Sequence, residues 1–307
     1  MMKYRFLILR RVVQVGILVL FFVGNFSWVS IAGKNYGVYQ GDTSVFIEDS
    51  RNLAAGESKI TNRAMHFFQG NLSSSKIFGV IPMSDPLAVA QLFLAGGALA
   101  LDIYIGLIVV LVIYGLFLGR AYCAYVCPVN LVVDFAAYLR RKFGLNTLVK
   151  QIHIGRNAKY GILFLTLVLC FIFGIAVFEM ISPISMLHRG IVFGMGAGFF
   201  GILAVFLFDF LLLKNGFCGH ICPLGATFSL IGKYSIWRVK YNFEKCTQCM
   251  QCVQICPENQ VLHNVGRKSA VIDGMACIKC GRCIEVCNDN ALTYGIANLI
   301  KRRQNEV

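Results

Sequence analysis

Charge is scarce in this chain. Of 307 residues only 14% are charged, against about 25% in an average soluble domain. Acids are scarcer still, 15 Asp and Glu against 29 Lys and Arg, which leaves a net charge of +14. With 57% hydrophobic residues, the balance excludes intrinsic disorder, which requires low hydrophobicity and high charge. It also argues against a single soluble globule, because the apolar runs are too long to fold away in water. A basic chain often binds nucleic acid. Here, however, the basic residues flank apolar segments, so membrane lipid is the expected partner for that charge and nucleic acid is not.

What the chain has instead is long apolar runs. A span needs roughly 20 apolar residues to cross ~30 Å of hydrocarbon. Four candidates stand at about 12–31, 99–119, 160–181 and 191–213. Leu87–Ala95, ahead of Gly96-Gly97, reads as a helix at the membrane interface. The first run follows Lys3, Arg5, Arg10 and Arg11 but is too long for a signal peptide and shows no small-residue cleavage pattern. Most basic residues fall on one side of the spans, so the positive-inside rule places both termini in the cytoplasm of a multi-pass protein of the bacterial inner membrane. The fold class expected is a four-transmembrane-helix bundle over residues 1–232, with an α+β domain over 233–307.

Thirteen cysteines are present, and eight stand at ligand spacing in the last quarter of the chain. Cys246-x-x-Cys249-x-x-Cys252-x-x-x-Cys256-Pro257 is followed by Cys277-x-x-Cys280-x-x-Cys283-x-x-x-Cys287. This is the bacterial ferredoxin run, written twice, in which the fourth thiolate of each run crosses to the other cluster. Two [4Fe–4S] clusters are expected, one on Cys246, Cys249, Cys252 and Cys287, the other on Cys277, Cys280, Cys283 and Cys256. Zinc ribbons use paired Cys-x-x-Cys units instead. The second run lacks its proline, since Asn288 follows Cys287. Thiols that ligate iron must stay reduced, which agrees with a cytoplasmic domain.

A shorter motif is also duplicated. Span two runs into Cys123-Ala-Tyr-Val-Cys127-Pro128, and span four into Cys218-Gly-His220-Ile-Cys222-Pro223. Cysteines four apart share one helix face, and the proline ends that helix. If the halves pack pseudo-symmetrically, Cys123, Cys127, Cys218 and Cys222 converge on a third iron–sulfur site. Helix-end packing, a docking surface and a reversible dithiol are the alternatives. His220 is a candidate neighbour of that site, and Cys170, alone in span three, reads as a small hydrophobe.

Acids in spans are functional candidates because burying them is costly. Asp102 and Glu179 lie toward the outer ends of their spans, with His188 and Arg189 beside Glu179. Glu179, His188 and Asp102 form a candidate site for quinol and its two protons, with interfacial solvation as the alternative. Asp209, near the inner end of span four, is expected to pair with a basic residue or to cap a loop.

The order of these parts resembles the NapH family, the membrane-bound ferredoxin-type subunit of the periplasmic nitrate reductase system. The resemblance rests on Ser73-Ser-Ser-Lys-Ile-Phe-Gly-Val-Ile-Pro82-Met-Ser-Asp85-Pro86, both Cys-x-x-x-Cys-Pro motifs, Ser182-Pro183-Ile184-Ser185 and both cluster runs, over about residues 70–290. It implies a quinol dehydrogenase component that works with a NapG-like periplasmic iron–sulfur partner. A maturation or sensing protein of the NosR or CcoG type shares the plan but carries more soluble sequence. A transporter is disfavoured, because the spans lack broken mid-membrane helices.

Overall fold

The computed structural model describes residues 5–24, 26–31, 34–39, 68–70, 74–77, 81–97, 100–144, 155, 157–193, 196, 198–272 and 275–296. Helix α1 (Arg5–Gly24) stops before the expected end of the first span. Phe26–Ile31 forms strand β1, paired antiparallel with β2 (Lys34–Tyr39). Phe, Trp, Val and Ile favour an extended chain, and the hairpin satisfies backbone groups that a helix would otherwise pair internally.

Strands β3 (Phe68–Gly70), β4 (Ser74–Ile77) and β5 (Ile81–Ser84) form a second antiparallel sheet. Asp85 then caps helix α2 (Pro86–Leu94), accepting a hydrogen bond from Leu87 N at 3.1 Å, with proline in the first turn where no donor is needed. One face of this helix packs against the protein, while Phe93 is exposed. Leu87, Val89 and Gln91 are buried, and Gln91 Oε1 accepts from Phe178 N at 2.9 Å. The Cys170 thiol also reaches Gln91 Oε1, at 3.5 Å.

Helix α3 (Leu101–Leu118) widens into a π-helix over its last six residues. A Cβ on Gly106 would stand 2.8 Å from Ser84 Oγ, so glycine there lets β5 lie against the helix. After α3 come α4 (Ala121–Tyr125) and α5 (Val129–Lys142).

The third expected span is divided. Helix α6 (Ala158–Phe173) ends where Gly174 turns left-handed at φ 64°, and α7 (Val177–Ile181) follows. Only glycine adopts that turn cheaply. The fourth expected span starts in the last turn of α8 (Pro183–Phe193) and lies mainly in α9 (Gly198–Leu212), whose last turn is again π-helical. His188 and Arg189 therefore sit inside α8 rather than at the head of a span. Their side chains lie outside the described residues. Among the described residues one helix, Leu101–Leu118, is long and apolar enough to cross a membrane, and Ala158–Phe173 and Gly198–Leu212 are apolar but shorter.

A π-turn, α10 (Phe217–Ile221), precedes α11 (Pro223–Ile231). The link Pro223–Lys245 reads in sequence as an amphipathic segment along the membrane surface; its first part, α11, is buried against the protein through Leu224, Ala226, Phe228 and Ser229. Phe228 stacks on Tyr122 with ring centroids 4.6 Å apart, and Tyr114 meets both edge-on. Such aromatic pairs add about 0.5–1.5 kcal/mol each beyond area burial.

The carboxy-terminal unit is α+β. Strand β6 (Trp237–Tyr241) lies between β7 (Ala270–Val271) and β8 (Leu292–Ile296), all antiparallel. The short helices α12 (Gln251–Ile255) and α13 (Arg282–Val286) pack together beneath this sheet.

Candidate iron–sulfur and electron-transfer site

In the carboxy-terminal unit each Cys-x-x-Cys loop takes the same backbone path. Gln248 and Met250 have φ of 58° and 56°, and their counterparts Lys279 and Gly281 have φ of 52° and 75°. Successive turns of this kind point backbone N–H groups into one concavity, a setting suited to an anionic cluster. The loops bring the thiols together in two sets. Cys252 lies within electrostatic reach of Cys287, Cys246 and Cys249. Cys283 lies within reach of Cys280, Cys277, Cys256 and Cys252.

Asp289 stands two residues beyond Cys287, past the point where the first run has its proline. Its Oδ2 accepts from Thr247 N at 3.0 Å and from Thr247 Oγ1 at 2.6 Å. That bond ties the Cys246 loop to the turn after Cys287. Asp289 carries a turn signal in the sequence, as an Asx residue beside a missing proline.

The four cysteines of the shorter motif also converge. Cys127 lies within electrostatic reach of Cys123 and Cys222, and Cys218 of Cys127, Cys222 and Cys123. Both pairs follow π-helical helix ends, a feature that recurs at functional positions. Burial pushes the Cys123 thiol above its ordinary value, opposed by the charge of the nearby Arg120 guanidinium. Among the described residues no three His, Cys, Asp or Glu side chains stand close enough to hold a single metal ion. A four-iron cluster, in contrast, takes its thiolates at separate corners. Four thiols grouped from two chain segments fit such a donor set.

Arg120 joins the two thiol regions. It is buried, and its Nη1 donates to Glu258 Oε1 at 2.9 Å and to Ala276 O at 3.0 Å, while Nη2 donates to Cys218 O at 2.8 Å. Glu258 lies two residues after Cys256, and Ala276 directly precedes Cys277. One guanidinium thus touches the Cys218 turn and both arms of one ferredoxin set. Burial works against the charge of Arg120, but the neighbouring Cys123 and Glu258 outweigh it and hold its pKa above the ordinary value.

Contact between the regions continues around this bond. Ala124, Ile278 and Cys280 form a small buried cluster with Cys123 and Tyr125 packed on it. Lys279 Nζ donates to Phe117 O at 3.3 Å and to Ser235 Oγ at 2.6 Å. A Cβ on Gly232 would stand 2.9 Å from Gly119 Cα, so two glycines let the linking chain pass directly under the end of α3.

Asp209 caps a loop, one of its two expected roles. It is buried, and its Oδ1 accepts from Phe217 N at 2.8 Å, one residue before Cys218. Arg140 donates to its backbone carbonyl at 3.3 Å. His220 is buried between Cys218 and Cys222. The proposed quinol residues are placed less tightly. Glu179 Oε1 accepts from Ser185 Oγ at 2.9 Å, and Asp102 is exposed in the first turn of α3.

Comparison with known proteins agrees with this geometry. A family model described as a 4Fe-4S binding domain matches residues 99–146 and 193–241, the two halves that carry Cys-x-x-x-Cys-Pro. A 4Fe-4S dicluster domain model matches residues 238–288. The methylamine utilization ferredoxin-type protein MauN of Methylorubrum extorquens is 40% identical over 195 residues, 63% of this chain and 67% of that protein. The ferredoxin-type protein NapH of Haemophilus influenzae is 40% identical over 197 residues, 64% of this chain and 68% of that protein.

The chain belongs to the NapH/MauN family of ferredoxin-type proteins. NapH of Escherichia coli is 39% identical over 194 residues, 63% of this chain and 67% of its own length. No solved structure matches. As a member of this family the chain is an iron–sulfur electron-transfer protein.

Proposed function

We propose that the chain is the membrane electron-transfer subunit of a quinol dehydrogenase, passing electrons from quinol toward a NapG-like iron–sulfur partner outside the membrane. In this reading residues 1–232 form a four-span membrane domain of the bacterial inner membrane with both termini in the cytoplasm. Residues 233–307 form the cytoplasmic dicluster domain. The apolar helices support the membrane assignment, since Phe164, Phe171 and Phe200 are each more than 70% exposed and lipid is the medium that covers such faces at low cost.

Eight thiols hold two [4Fe–4S] clusters: Cys246, Cys249, Cys252 and Cys287 for one, Cys277, Cys280, Cys283 and Cys256 for the other. Cys123, Cys127, Cys218 and Cys222 hold a third. Such clusters take up and release single electrons. The protein's own residues do the rest. The paired left-handed loops aim N–H groups at the tail thiols, Asp209 fixes the Cys218 turn, and Arg120 places its positive charge between the third site and the Cys256/Cys277 set. Glu179, with His188 and Asp102, accepts the protons released from quinol and passes them to the outer side.

The observation that carries this reading is the Arg120 bridge, which puts the membrane-side thiols against the dicluster domain. Periplasmic nitrate reduction is the terminal process expected by likeness to NapH. The test uses anaerobically purified protein and menaquinol, with and without a NapG-like partner, and follows cluster reduction by EPR. Reduction by quinol is the expected result. Failure of quinol with dithionite-reducible clusters intact would overturn it in favour of a maturation or sensing role.

A further inference from the structure

On the face that carries the dicluster domain, α1, α5 and the carboxy-terminal unit enclose a cavity of about 740 Å³, within the usual range for a ligand site of ~300–1,000 Å³. Three guanidiniums line it: Arg11 from α1, Arg141 from α5 and Arg282 from the dicluster domain.

The carboxylates in the same wall are already engaged. Asp134 accepts from Arg10 at 3.2 Å, from Arg11 at 2.8 Å and from Arg282. Glu285 accepts the free N–H groups of Phe6 and Leu7 at the start of α1. Arg141 therefore faces the cavity beside the like charge of Arg282. Lys214 adds a further positive charge within reach of Arg141 and Arg282. Burial followed by Arg282 holds Arg141 below its ordinary value, the direction expected of crowded cations.

The cavity wall is also apolar. Phe135 and Tyr138 line it and are 55% and 54% exposed, on the same α5 helix that carries Arg140, Arg141 and Lys142 in its last turn. A site built only for a small anion has no use for two half-bare rings. A basic pocket between helices at a cytoplasmic membrane face is the kind that takes acidic lipid head groups.

We propose that this cavity binds an anionic phospholipid, its phosphodiester between Arg11, Arg141 and Arg282 and its acyl chains along Phe135 and Tyr138. The inference rests on the membrane placement above. The bound phosphate relieves the repulsion between Arg141 and Arg282 and contacts α1, α5 and the dicluster domain at once, so it pins the domain to the membrane helices.

The experiment uses the full chain, delipidated in neutral detergent with its clusters intact. Phosphatidylglycerol, phosphatidylcholine of the same chains and inorganic phosphate are titrated separately, with binding and thermal unfolding as readouts. Phosphatidylglycerol is expected to bind and raise the unfolding midpoint where phosphatidylcholine does not. Arg141→Gln should weaken phosphatidylglycerol about fivefold, from roughly 1 kcal/mol per basic group at such a surface. Tyr138→Ser should weaken the lipid and leave inorganic phosphate unaffected.

Equal binding of both lipids, an unchanged Arg141→Gln variant, or an equal shift from inorganic phosphate alone would each overturn the lipid site. An alkaline carbonate wash of native membranes separates the two readings. Release without detergent overturns the membrane assignment and the lipid site with it. Retention with no lipid preference overturns the lipid site alone.

Discussion

The two thiol regions are built in opposite ways. The ferredoxin cysteines hang on loops whose left-handed residues bend the backbone around a centre, and Cys249 is exposed. The Cys-x-x-x-Cys-Pro cysteines hang on helix ends packed among apolar segments, with Cys127 and Cys222 buried. A loop-built site carries its shape locally, so it survives changes such as Asn288 in place of proline, with Asp289 and Thr247 closing the turn. A helix-built site depends on what the helices are packed against. Here that means buried polar supports, Arg120 and Asp209, from outside the motif spacing.

The strongest way to break this comparison is to remove the helix-built thiols. Cys123→Ala with Cys127→Ala should leave about two thirds of the wild-type iron and sulfide, with the dicluster EPR signals intact, because one of three equal sites is lost. Unchanged iron content would return these cysteines to packing or docking. Arg120→Ala should come next. It removes the guanidinium from a buried ion pair with Glu258, and breaking a buried pair costs about 3–5 kcal/mol. The thermal midpoint in detergent should fall well below that of Glu258→Gln, which keeps an acceptor for the guanidinium.

The outer carboxylate tests a different part of the path. Glu179→Gln with His188→Ala should slow quinol-driven cluster reduction by about a hundredfold or more, the scale of a lost proton acceptor, with cluster content unchanged. A wild-type rate rejects the outer proton site. Asp209→Ala is expected to be milder, about 1–3 kcal/mol for the Phe217 N–H left without its acceptor. Asp209→Asn, which keeps a carbonyl oxygen for that bond, should lie closer to wild type in the same unfolding measurement.

The smallest effect at neutral pH concerns Asp134. Burial works to raise its pKa, but Arg282 and Arg10 prevail and hold it below the ordinary carboxylate value. A depressed folded-state pKa stabilises above the unfolded value of about 3.9 and is lost as pH falls through the folded one. Unfolding of the intact chain should therefore show no contribution from Asp134 titration between pH 6 and 8, and a loss only in strong acid. Titration between pH 6 and 8 that disappears in Asp134→Asn would contradict the assignment.

The spacing of the cluster cysteines, the duplicated Cys-x-x-x-Cys-Pro and the apolar runs were legible in the sequence because each is a local property. Ligand spacing survives any packing, and hydropathy is a sum over neighbours. Other features were not legible. The break at Gly174 depends on a turn that glycine permits but does not require. The burial of α2 and α11 depends on partners distant in the chain, and apolar residues alone do not distinguish a lipid-facing helix from a core one. Arg120 read as one more basic residue at a membrane face. Only the tertiary structure gives it Glu258, Cys218 and Ala276 as partners, because a buried guanidinium must find acceptors wherever the fold brings them. The cysteine spacing of this protein was written in its sequence, and the Arg120 contact between its two halves was decided by packing.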